Sequence, residues 1–265
     1  METEKYMKMI RNNPYVIARI ENPTDAMKLL AVQTNGLALQ YIDNPTREME
    51  EAAIANTARA IQFIDNPPED LLLHAVQSGW NNLAYVENPS PALIQAALSQ
   101  SGWAIRYIPN PSEELQLQAV RKNYDAVKYI KNPSAAVQEA AVAENYEALR
   151  YIDAPAPSAV FAAVQKAEQA VLLLSHPTKE QMLSFFALNP MVMKYVPKDC
   201  IISRDELKEV LRRVLSQDDV SEPYVRSFIN CSALDMSPVD KVLFVDQWGS
   251  AKAKKITVDE KLTIK

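Results

Sequence analysis

Cysteine, histidine and glycine are scarce in these 265 residues, which hold two, two and four of them. Two cysteines, Cys200 and Cys231, are too few for a disulfide framework and point to a reducing compartment. Four scattered glycines cannot build a phosphate-cradling loop. His74 falls on the outer part of a helix and His176 replaces a capping asparagine, so both read as surface or capping residues. With no Cys-x-x-Cys or His-Glu-x-x-His, the chain offers no recognisable metal-ligand set. Carboxylates are numerous, but they follow helix starts and exposed faces. Enzymatic activity, cofactors and catalytic residues are therefore not expected. Apolar runs stop short of the ~20 residues that a membrane span needs. The charged opening Met1-Glu2-Thr3-Glu4-Lys5 gives no sign of a signal peptide. A net charge of −5 disfavours bulk nucleic-acid binding through phosphates, although it leaves room for a local basic stripe.

Proline, by contrast, is abundant and regular. Pro23, Pro45, Pro67, Pro89, Pro111, Pro133, Pro155 and Pro177 are spaced by twenty-two residues, the signature of a stacked repeat array. Four positions after each proline an apolar residue recurs (Met27, Met49, Leu71, Leu93, Leu115, Val137). Eight after comes alanine, from Ala31 to Ala163, and nine after a large aliphatic such as Val32 or Val120. This is a helical face, with the alanine where a neighbouring helix approaches closely. The asparagine before most of these prolines reads as an N-cap, with proline at the first helical position. A second, shorter helix of roughly eight residues, too short to stand alone, follows an elbow marked by Asn35-Gly36, Ser78-Gly79, Ser101-Gly102, Asn123 or Asn145. Glycine there suggests a positive φ or a tight turn.

The register runs from Met1 to Val196 and breaks at Asp199, giving nine repeats. The expected fold is an all-α solenoid over 1–198, with Lys5 facing solvent in the capping repeat. A helical module follows over 199–250, opened by Ser203-Arg204-Asp205-Glu206. Over 251–265, alternation at Ile256-Val258 and Leu262-Ile264 predicts an extended arm or β-hairpin, with a frayed basic tail as the competing reading.

The run Tyr-Ile-x-Asn-Pro-Ser with Ala-Val eight and nine residues after the proline resembles the short helical repeats of unknown function found in bacteriophage and bacterial hypothetical proteins. It is more distantly similar to variant leucine-rich helical repeats. The resemblance covers about three quarters of the chain and implies a phage or phage-like origin, with no activity or site residues to transfer. The implied location is the host cytoplasm or an assembled phage particle.

Residues that recur without being needed for packing are the functional candidates. Seventeen after each proline stands a column whose central part is basic: Arg106, Lys128, Arg150. Around the elbows stand Trp80, Trp103, Tyr124 and Tyr146. Stacked at ~8–10 Å, they could form one partner-binding ridge across residues 67–154, since Trp, Tyr and Arg anchor interfaces. The competing reading makes the aromatics satellite core and the cations a solvated face. The ridge could accept an acidic protein segment, an assembly neighbour, or a nucleotide stacked on the rings with phosphates on the cations. Two functions follow: a non-enzymatic protein-interaction scaffold, or a nucleotide-sequestering anti-defence protein. A further column, Tyr41, Phe63, Tyr85, Tyr107, Tyr129 and Tyr151, is constant and reads as core, its hydroxyls reaching backbone groups.

Overall fold

The computed structural model describes residues 2–263. Among the described residues every regular element is helical, and the all-α repeat architecture holds. The chain divides into two compact units, Met1–Lys131 and Asn132–Lys265.

The first unit carries six repeats, headed by α1 (Glu2–Asn12), α2 (Asp25–Thr34), α3 (Arg47–Asn56), α4 (Glu69–Ser78), α5 (Pro91–Gln100) and α6 (Glu113–Lys122). The second unit carries three, headed by α7 (Ala135–Glu144), α8 (Pro157–Lys166) and α9 (Lys179–Leu188). It also holds α10 (Arg204–Leu215), α11 (Glu222–Asn230), α12 (Pro238–Trp248) and α13 (Ala251–Thr263). The shorter helix of each repeat is a six-residue 3-10 helix, for example Gly36–Tyr41, Gly102–Tyr107 and Tyr124–Tyr129. At six residues each is longer than the usual 3-10 run of three or four.

The start of the longer helix corrects the expected Asn-cap. Asn22, Asn44, Asn66, Asn110, Asn132 and His176 all adopt a left-handed backbone, with φ between 44° and 54°. Asn and His are among the non-glycine residues that tolerate this region best. The chain turns there, passes through the proline, and is capped one residue later by Thr24, Thr46, Ser90, Ser112, Ser134 or Thr178, whose hydroxyls accept an amide of the first turn. In the longer helices of the repeats, Pro91 and Pro157, each two residues after the periodic proline, are the ones at the first helical position. Elbow asparagines do something different: Asn13, Asn35, Asn145 and Asn189 accept the amide two residues ahead at 3.0 to 3.1 Å. This Asx-type turn opens the 3-10 helix.

Elbow glycines are not there for positive φ, which none of them has. A Cβ on Gly36 or Gly102 would overlap the carbonyl oxygen of Ala53 or Ala119, one repeat on. The close approach matches the alanines eight after each proline, all 0% exposed from Ala31 to Ala163. Neighbouring repeats also share polar bonds. Asn56 accepts from the Gly36 amide and donates to the Gln33 carbonyl, at 2.9 and 3.0 Å. Gln100 does the same for the Trp80 amide and the Val76 carbonyl, at 3.0 and 2.8 Å. In the second unit Lys166 and Asn189 reach the end of the preceding helix in the same way. Helix-end carbonyls that lack an intrahelical donor are thereby satisfied.

The expected arm or hairpin over 251–265 is a helix instead, as far as Thr263; Ile264 and Lys265 lie outside the described residues. Alternation of apolar residues misled, because Ile256 is buried while Val258 and Leu262 are exposed. The residues that face inward are Ala253, Ile256 and Thr257, a helical spacing. Glu260 further fixes α13 to α11 through Arg226 and Asn230. Among the described residues no carboxylate is bonded to buried Lys241; its ammonium donates to the carbonyls of Cys231 and Ile229 at 2.5 and 3.4 Å, closing the end of α11.

Candidate functional site

The aromatic column expected in the core lies largely at the surface: Phe63 packs against the core and Tyr107 is half-buried, but the other members are exposed. Tyr41, Tyr85, Tyr129 and Tyr151 are 36–46% exposed, and the recorded hydroxyl contacts are with side chains: Arg59 donates to Tyr85 at 2.9 Å and Arg106 to Tyr129 at 3.2 Å. The correction follows from 3-10 geometry. From Gly36–Tyr41 to Glu168–Leu173 the short helices bury their third and fourth residues, such as Ala104 and Ile105, and leave the fifth and sixth half-buried or exposed.

In the first unit this places Arg106 and Lys128 among rings from three successive repeats. The Trp80 ring meets Trp103 edge-on at 6.4 Å and Tyr107 at 6.2 Å between centroids. The Arg106 guanidinium lies over both Tyr107 (5.1 Å) and Tyr129 (5.0 Å). The Lys128 ammonium lies over Trp103 (5.6 Å) and Tyr129 (5.1 Å). These are cation–π distances. Tyr124 is half-buried at the start of the short helix that carries Lys128.

Asp125 completes the cluster and was not singled out from the sequence. Its carboxylate accepts from the Trp103 indole at 2.7 Å and from Lys128 at 2.9 Å. Burial alone would push this carboxyl up; the bonds from Lys128 and Trp103 outweigh it and hold the group below the usual aspartate range. The signal was available, since Asp125 and Lys128 stand three residues apart on one helix face.

Of the remaining candidates, Tyr146 and Arg150 belong to the second unit. Tyr146 is half-buried and Arg150 exposed. The Arg150 guanidinium lies 3.5 Å from Glu147, which repeats the Asp125–Lys128 spacing. Lys194, in the same column, lies 3.8 Å from Glu168. The basic ladder is therefore interleaved with acid, and its charges are largely matched within the protein.

Among the described residues no group of three or more His, Cys, Asp and Glu could hold a metal ion, and no helix is long and apolar enough to cross a membrane. His74 and His176 are both exposed. Comparison with protein-family models, curated proteins and solved structures finds no match.

Proposed function

We propose that the protein is a non-enzymatic interaction scaffold of phage type, a particle component or a host-protein binder. The ridge Trp80–Trp103–Tyr107–Arg106–Tyr129–Lys128 would dock a partner protein. One observation carries this reading: rings and cations from three successive repeats interlock into a continuous, partly exposed surface. Rigid rings lose little entropy on binding, and Trp, Tyr and Arg dominate interface energetics. The nucleotide-sequestering alternative asks the same cations to meet phosphates. Lys128 and Arg150 already face carboxylates, which would compete with that ligand.

The test is a quantitative pull-down from host or infected cells, comparing the wild type with Trp103→Ala and Lys128→Glu. A protein recovered by the wild type and depleted at least about tenfold with either variant supports the reading, as removal of one anchor of ~1.4 kcal/mol or more would do. Identical recovery with all three overturns it. Thermal stabilisation by a nucleotide, lost in Lys128→Glu, would favour the alternative.

A further inference from the structure

The ninth repeat departs from the rule that spaces the others. Eight positions after the proline it carries Phe185, 1% exposed, where the helices from α2 to α8 carry a fully buried alanine. Phe161 of α8 meets the Phe185 ring edge-on, with 5.5 Å between centroids. A benzyl group thus fills the position that a methyl fills from α2 to α8. Beside these rings lies a half-open cleft of about 330 Å³.

Most of its lining residues are apolar, among them Val160 and Phe161 from α8, Phe185 from α9, and Leu173 and Leu174 from the end of the intervening short helix, while Ser175 and Gln181 add polar groups. Asp153 also lines the cleft, exposed, with no ion pair or hydrogen bond among the described residues. This contrasts with the ridge, where carboxylates are matched to cations. An apolar cavity of ~150 Å³ is enough to bind benzene, and ligand pockets begin at about 300 Å³, typically apolar with a few polar groups that orient the ligand.

We infer that this cleft binds a small hydrophobic amine, a one- or two-ring body seated against Phe161 and Phe185 with its ammonium on Asp153. The ring removes apolar surface from water while the cation meets an unbalanced carboxylate. The site is separate from the ridge and stands or falls independently of it.

Isothermal titration with tryptamine and with indole-3-propionate, the same ring carrying opposite charge, tests the assignment. Tryptamine is expected to bind about tenfold tighter or better. Asp153→Asn, an exposed and fold-neutral change, should bring the two ligands to within about twofold of each other. Val160→Trp, which fills the cleft from its wall, should weaken both by about tenfold or more, while Trp103→Ala leaves both unchanged. Equal affinities in the wild type would overturn the inference. So would indifference to Asp153→Asn, or no binding of either ligand up to about millimolar.

Discussion

A methyl group added at Gly102 would overlap the carbonyl oxygen of Ala119, and at Gly36 that of Ala53. Backbone cannot move aside as a side chain can, so the added atom must push two repeats apart. At Gly79 the nearest obstacle is only the Asn81 side chain, 3.0 Å away, which can swing aside. Gly102→Ala is therefore expected to lower unfolding free energy by about 3 kcal/mol. Gly79→Ala should change it by less than about 1 kcal/mol. Urea melts of the two variants measure the difference, and equal losses would contradict the close-approach argument. Asparagine before proline has a comparable local logic. It serves as a left-handed hinge, which is why His176 can replace it and why side-chain capping, where it occurs, falls to a hydroxyl two residues on.

At the scale of elements, the joint between α9 and α10 is electrostatic. The Lys179 ammonium, on α9, lies 2.5 Å from Glu206, which also closes a capping box with Ser203 at the start of α10. The bonds from Lys179 first, and from Ser203 second, hold the Glu206 carboxyl at about 2, below its ordinary 4.5. A depressed carboxylate contributes stability that is fully present above the unfolded value and is lost as pH falls toward the folded one. The window runs from about pH 4.5 down to about pH 2. Glu206→Gln should thus be less stable than the wild type at pH 7, with the difference shrinking through that window. Urea midpoints across the pH range read this directly, and a constant offset would contradict it. Because the pair is exposed, the effect is modest and salt-sensitive.

For the whole molecule, the proline period made the repeat number and the buried alanines legible, because both follow from a packing rule repeated at every unit. Two things escaped. The outward turn of Tyr85 and Tyr129 depends on the short helices being 3-10, a distinction of about half a residue per turn that hydrophobic spacing over six residues does not resolve. The helix at 251–263 escaped because Ile256 and Val258 mimic strand alternation, while the partners that bury Ala253, Ile256 and Thr257 lie elsewhere in the chain. Of the candidate site, the ring and cation columns were readable. The pairing of Asp125 with Lys128 and Trp103, and the unpaired Asp153 beside a cleft, required side-chain geometry.

The reach of Asn56 and Gln100 into the preceding helix end gives the array a direction. A repeat supplies its own helix but not the last bonds of that helix; those arrive from the repeat that follows it. For these bonds dependence runs from each repeat to the one before it. Damage at one repeat should be felt upstream of it. With Asn56→Ala, the Gly36 amide loses its acceptor and the Gln33 carbonyl its donor, although α3 itself keeps all its main-chain bonds. Hydrogen exchange should accelerate at Gly36 by about five- to tenfold, consistent with the ~1 kcal/mol of a typical hydrogen bond. Amides within α3 should be unaffected relative to Gly36. Loss of protection within α3 instead would mean that the repeats support one another symmetrically.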